Sequence, residues 1–319
     1  MARRAAVFCH NGLGDAIISL VLSHNLHQNG WKVDSYHNGM DQMQSWFPHL
    51  PLIPYPQIDK IPQILKDYDL LIIFQNDTFD FVLELIRQGK LSVPEKVKVI
   101  YPYPTKGIIS KPYYRDSLFD VTKPIVRNLH NFCSKLLHLP KTTLKNGIIA
   151  PQNLIYRKDR KRVVLHVASS RKGKNWPIQK FVELAKRIKK KGYKPVIIAG
   201  SEKDREAYLW LEKEGWDLPL FESITDVASY LYESGYLVGN DSGLGHLANS
   251  MGVPTVTISR RKRVAQFWRP IWSAGRLAVP SSLVPNISGF RLRDRKWQKF
   301  ISVNKVLSRF QSLVKETKD

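Results

Sequence analysis

Short apolar runs recur along this chain, each followed by a longer stretch with apolar residues every three or four positions. In the first half, residues 5–9, 33–36, 70–74 and 97–101 have the length of buried strands, and 16–29 and 79–88 have helical spacing between them. Residues 101–123 are rich in Pro, Tyr and Lys, show no period and predict irregular structure. A helix is expected over 125–139. The pattern lapses over 145–162, which is polar and basic and reads as a linker. It then resumes with strands at 163–167, 195–199, 236–238 and 255–258, and helices at 178–191, 203–214, 226–233 and 243–251. The helix at 178–191 is the clearest. Phe181, Leu184, Ala185 and Ile188 fall at i, i+3, i+4 and i+7, so one stripe faces a core. Its Lys189, Lys190 and Lys191 suit the negative end of the helix dipole, and Gly192 suits a cap. A last helical pattern covers 296–315, with Phe300, Val303, Val306, Leu307, Phe310 and Leu313 as its apolar positions.

Strands alternating with helices imply parallel sheets joined by right-handed crossovers. Two such sets imply an α/β protein of two Rossmann-like domains, 1–150 and 151–295. Residues 296–319 form a C-terminal helix expected to pack back on the first domain. Ligands of doubly wound sheets bind at the carboxyl ends of strands, where strand order reverses, and a cleft shared by two such domains is the default site.

Charge changes this picture. Fifty Lys and Arg stand against 27 Asp and Glu, a formal net charge of +23. The excess recurs at 157–162, 186–194, 260–263 and 291–299, so it predicts anionic partners: a phosphorylated substrate, an acidic membrane surface or nucleic acid. No nucleic-acid motif accompanies it, which leaves a basic nucleic-acid-binding protein as the weaker reading. Cys9 and Cys133 are far apart and imply no disulfide framework. The first residues lack the apolar core of a signal peptide, and no apolar run is long enough to span a bilayer. A cytoplasmic monomer is expected.

Four loops at strand ends carry the candidate chemistry. His10-Asn-Gly-Leu-Gly-Asp15 follows the first strand. Its two glycines allow a tight turn, but Ile17 stands where a dinucleotide fingerprint needs a third small residue. Asp15 there serves either as a helix cap or as a base at the mouth of a cleft. His166-Val-Ala-Ser-Ser-Arg-Lys-Gly-Lys-Asn-Trp-Pro177 gathers Ser169, Ser170 and Lys174 at a helix start, as a phosphate site requires. Glu202 and Asp204, after the next strand, suit either a helix cap or ribose hydroxyls. Gly-Asn-Asp241-Ser-Gly-Leu-Gly-His246 opens a helix whose first amides offer an anion site, with Asp241 left for sugar hydroxyls. No His or Cys sits at metal-ligand spacing, and no nucleophile elbow supports a Ser-His-Asp triad.

Together these motifs resemble glycosyltransferase family 9, the ADP-heptose:lipopolysaccharide heptosyltransferases. The resemblance rests on Gly14-Asp15, Ser169-Ser170, Lys174-Asn175-Trp176-Pro177, Asp241-Ser242-Gly243, His246-Leu247-Ala248 and Gly252-Val253-Pro254-Thr255, in order over residues 5–260. It implies the GT-B fold, with an acceptor-side first domain and a nucleotide-sugar donor domain second, facing each other across a cleft. It also implies a bacterial enzyme with inverting, metal-independent transfer and no cofactor, the sugar nucleotide (ADP-heptose in the family) being a substrate. Asp15 would be the general base. Ser169, Ser170 and Lys174 would hold the diphosphate, and Glu202 or Asp204 the ribose. Asp241 would contact the sugar, with Ser242, Gly243, Leu244, Gly245 and His246 at the donor. The acceptor would be an anionic glycolipid such as the lipopolysaccharide inner core, met at the inner face of the cytoplasmic membrane through peripheral contact. Gly14, Lys106, Lys111 and Arg115 are the candidate acceptor contacts. A sugar-nucleotide hydrolase or epimerase of the same fold is the alternative, distinguished by consumption of donor alone.

Overall fold

The computed structural model describes residues 2–76, 78–103, 107–169, 172–199, 205–286 and 291–317. The chain divides into two compact units, Met1–Pro151 with Phe267–Pro270, and Gln152–Gln266 with Ile271–Asp319. Each unit is built on a five-stranded parallel sheet, as the alternating pattern predicts.

The first sheet comprises β1 (Arg4–Phe8), β2 (Lys32–Tyr36), β3 (Leu52–Ile53), β4 (Leu70–Phe74) and β5 (Val97–Ile100), in the order β3-β2-β1-β4-β5. Ala5, Ala6, Val7 and Phe8 have no exposed surface, and every residue of β4 is buried, as strands covered on both faces require. Strand order reverses between β1 and β4. The helix after β1, Leu13–Gln28, is buried on most of its circumference and packs on the Ile125–Asn131 helix. Its polar residues are therefore paired: Asn25 Nδ2 donates to Val21 O and Thr143 O, and Ser35 Oγ donates to Ser23 Oγ. The helix expected over 125–139 is α-helical to Asn131 and continues as a π turn over Phe132–Leu136.

The second sheet comprises β6 (Asp159–His166), β7 (Lys194–Ile198), β8 (Ser234–Asn240), β9 (Thr255–Ile258) and β10 (Gly275–Ala278), in the order β10-β9-β8-β6-β7. Order reverses between β6 and β8. Glycine is required where these two strands meet. A Cβ on Gly235 would lie 2.2 Å from the Arg160 carbonyl oxygen, and one on Gly239 would lie 2.9 Å from that of His166. The stripe Phe181, Leu184, Ala185 and Ile188 of the Ile178–Lys189 helix is fully buried.

One expected boundary moves, and the last helix finds its place. The linker read over 145–162 ends early: β6 begins at Asp159, and Arg157 N already donates to Tyr232 O within the second unit. The C-terminal segment forms a helix over Val303–Glu316 that lies on β9, β10 and the Ile178–Lys189 helix, within the second unit. Val306, Phe310 and Leu313 complete the second unit's own core, since burying those large side chains stabilises the fold by roughly 1.5–3 kcal/mol each.

Candidate functional site

In the first unit the turn from β1 into the Leu13–Gln28 helix places Asp15 in the first helical turn. Gly12, not Asp15, occupies the N-cap position, and no side chain caps this helix. The Asp15 carboxylate is thus not spent on capping. Gly12 leaves room for it: a Cβ there would sit 2.9 Å from Asp15 Oδ2. The carboxylate is partly exposed, and His10 Nδ1 lies 3.0 Å from Oδ2. His10 Nε2 is 2.8 Å from the Tyr103 hydroxyl. The Nε2 contact is a hydrogen bond to Tyr103, whereas the Nδ1 contact is close but does not meet hydrogen-bond geometry. Gly14 is buried beside Asp15. Of the other acceptor candidates, Lys111 Nζ stands 5.8 Å from the centre of the Tyr101 ring, and Arg115 is exposed on the Tyr114–Asp116 turn. Lys106 lies outside the described residues. The structure thus joins His10, Asp15 and Tyr103. It shows no direct contact from Lys111 or Arg115 to that group among the described residues.

In the second unit the candidates sit at the carboxyl ends of β6 and β8, where strand order reverses. Asn240, the last residue of β8, holds the loop after β6 in place. Its Oδ1 accepts from Trp176 N at 2.9 Å, and its Nδ2 donates to Val167 O at 2.8 Å. Trp176 is buried, and its indole N–H donates to Ile301 O at 3.0 Å. Within this fixed loop, Ser169 Oγ donates to Asn175 Oδ1 at 2.6 Å, and Lys174 is exposed. The Gly243–Ser250 helix has Ser242 at its N-cap, but Ser242 makes no capping bond. Its hydroxyl lies 2.9 Å from Nδ1 of the buried His166 instead. The leading N–H groups of this helix therefore have no capping side chain, which suits an anion. Asp241 precedes the cap, half-buried, and Ser259 Oγ donates to its Oδ2 at 3.4 Å. Leu244 packs inward, while Gly243, Gly245 and His246 are half-buried. Ser170, Glu202 and Asp204 lie outside the described residues. Among those described, no three His, Cys, Asp or Glu side chains are grouped to hold a metal ion. No helix of the described residues is long and apolar enough to cross a membrane.

Sequence reasoning did not single out His10, Tyr103, His166 or Asn240. His10 and His166 each open a quoted motif, and a polar residue at a strand's last position was the available signal. Tyr103 carried none, because an irregular segment brings it to His10.

Comparison with known proteins agrees with this architecture. The family described as glycosyltransferase family 9 (heptosyltransferase) matches residues 112–276. No curated protein matches the chain by sequence. Among solved structures, the E. coli ADP-heptose lipopolysaccharide heptosyltransferase II aligns at TM-score 0.66 and 18% identity, over 98% of this chain and 99% of that one. The E. coli heptosyltransferase WaaC with ADP aligns at 0.68 and 16%, over 97% and 99%. A family 9 glycosyl transferase from Veillonella parvula aligns at 0.69 and 16%, over 99% and 98%. The two parallel-sheet units are those of the GT-B class.

Proposed function

The chain belongs to glycosyltransferase family 9, and from that premise we propose that it transfers a sugar, with inversion and without a metal, from a nucleotide-sugar donor to a phosphorylated glycolipid. Heptose carried on ADP is the proposed donor, since the E. coli relatives are named for that sugar and one holds ADP. A lipopolysaccharide inner core is the proposed acceptor, reached from the bacterial cytoplasm by peripheral contact with the acidic membrane surface. The first unit takes the acceptor side and the second the donor.

The observation that carries the reading is the Asp15 carboxylate, held at 3.0 Å by His10 rather than by its own helix. Asp15 takes the proton of the acceptor hydroxyl as that oxygen bonds to the anomeric carbon. The bond from that carbon to the diphosphate oxygen breaks on the opposite face, and the nucleoside diphosphate leaves with the electron pair. Lys174, Ser169, Ser170 and the amides from Ser242 to Gly245 offset the charge that develops on it. Asp241 accepts from sugar hydroxyls, and Glu202 or Asp204 from the ribose. His246, near a helix N-terminus where positive charge is disfavoured, acts as a neutral hydrogen-bonding group. Gly14, Lys106, Lys111 and Arg115 line the acceptor's approach.

Asp15→Asn keeps the shape and removes the base. Turnover is expected to fall about 10²–10⁴-fold with donor affinity unchanged. Near-normal turnover would remove Asp15 from the role. Rapid loss of donor without acceptor would favour a hydrolase.

A further inference from the structure

A cavity of about 390 Å³ in the second unit is lined by Arg260, Arg261, Arg291 and Arg295, against one carboxylate, Asp294. That carboxylate is committed. Arg261 donates to its Oδ2 from Nε at 3.0 Å and from Nη2 at 2.6 Å, while Asn286 Oδ1 accepts from its backbone N–H. Burial pushes the Asp294 carboxyl upward, yet Arg261, Asn286 and Arg260 hold it below the usual carboxylate range. Asp294 therefore neutralises and aims Arg261. Among the described residues, no acceptor pairs with the side chains of Arg260, Arg291 or Arg295. Several guanidinium groups around one concavity repel one another unless an anion enters between them. Their planar forks match phosphoryl oxygens two at a time. One carboxylate would satisfy only one such fork.

The place of the cavity in the fold also matters. Arg260 and Arg261 follow the carboxyl end of β9, the neighbour of β8. The cavity thus shares the sheet edge of Asp241, one strand further along. Trp297 is buried at its floor and donates its indole N–H to Gly173 O at 3.3 Å, within the turn that carries Lys174. None of the residues assigned to the donor lines the cavity.

The geometry points to a second phosphoryl-binding site, formed by Arg260, Arg291 and Arg295 over Trp297. It takes a phosphate group other than the donor's diphosphate, carried by the acceptor or by an anionic lipid headgroup. The assignment rests on the donor reading only in counting this site as the second.

The test titrates the full chain with inorganic pyrophosphate by calorimetry, in wild type, in R291Q/R295Q and in Lys174→Ala. Two classes of site are expected in wild type. R291Q/R295Q weakens one at least tenfold and leaves ADP binding unchanged, while Lys174→Ala weakens the other. An unchanged isotherm in R291Q/R295Q overturns the proposal, as does loss of all binding in Lys174→Ala alone. If Lys174→Ala changes nothing while R291Q/R295Q removes binding, the arginine site stands and the donor reading falls. Vesicles then separate the two sources, given lost pyrophosphate binding in R291Q/R295Q. Loss of co-sedimentation with phosphatidylglycerol but not phosphatidylcholine vesicles supports a lipid headgroup. Retained co-sedimentation supports a phosphate on the acceptor glycan.

Discussion

At the scale of single residues, Asp15 and Ser242 behave alike. Each stands at the start of a helix, in a residue type that favours capping, and neither caps. Asp15 faces His10, and Ser242 faces His166. From sequence the two roles of Asp15 could not be separated, because capping depends on which residue bears extended backbone angles, and that residue is Gly12 (φ −84°, ψ 137°). The loops and their chemistry were legible; the histidines that hold them were not. A ring five positions before Asp15 reaches it only because the turn folds back. His10→Phe keeps the ring volume and removes both polar contacts. Turnover is expected to fall about tenfold, the worth of one hydrogen bond, with donor KM unchanged. Partial recovery in His10→Gln, which puts a polar group back beside Asp15 and Tyr103, would mark His10 as a positioning residue. Full activity in His10→Phe would deny it that role.

At the scale of elements, compact runs of apolar and β-branched residues were plain in the sequence: 70–74 and 255–258 form β4 and β9 as read. β3 and β10 were not read. β3 has two residues, too few for a pattern, and β10 is an edge strand interrupted by Arg276, whose guanidinium reaches Glu316 and Ser312. The Ile61–Asp67 and Lys262–Trp268 helices were also passed over, each being only seven residues long. Of the helix expected over 203–214, Trp210–Lys213 is observed as such, and 200–204 lie outside the described residues. Only three of the seven residues of β8 were legible as strand, because its glycines and terminal Asn240 look like loop. Those same residues let β8 approach β6 and fix the loop that carries Ser169 and Lys174. Gly235→Ala would drive a methyl group into the Arg160 carbonyl. Overpacking against backbone of this kind costs roughly 1–3 kcal/mol or more. Urea unfolding should show it, and a variant as stable as wild type would mean that the strands can part at no cost.

At the scale of the molecule, the two units carry different charge problems. The first holds a cluster of imidazoles. His24 Nδ1 lies 3.2 Å from His49 Nε2, and the His27 ring is tilted against His49 with centroids 5.1 Å apart. Burial, with His49, His27 and Lys145 nearby, lowers His24 to about 4; burial also lowers His37 and His49. The unfolded chain protonates these groups near 6.5, while the fold keeps them neutral to lower pH. Their contribution to stability is therefore complete above about pH 6.5 and is lost as pH falls toward 4. Amide protection of the Leu13–Gln28 helix in hydrogen exchange should fall between pH 7 and pH 5. His24→Gln should flatten that fall, and an unchanged slope in the variant would clear the cluster. The second unit instead concentrates guanidinium groups at one sheet edge.

The Val303–Glu316 helix has a consequence for how the chain is made. Synthesis runs from the amino end, so the second unit's strands emerge before the residues that seal them. Val306, Phe310 and Leu313 belong to the same core as Val163, Val238 and Val256, some 50 to 150 positions earlier. Until those late residues leave the ribosome, β9 and β10 keep an apolar face open to water, and the Trp176 indole N–H lacks the Ile301 carbonyl that accepts its hydrogen bond. The first unit, apart from Phe267–Pro270, is complete by Pro151. Folding during translation thus becomes sequential, and a nascent second unit needs shielding for as long as its final helix is unmade.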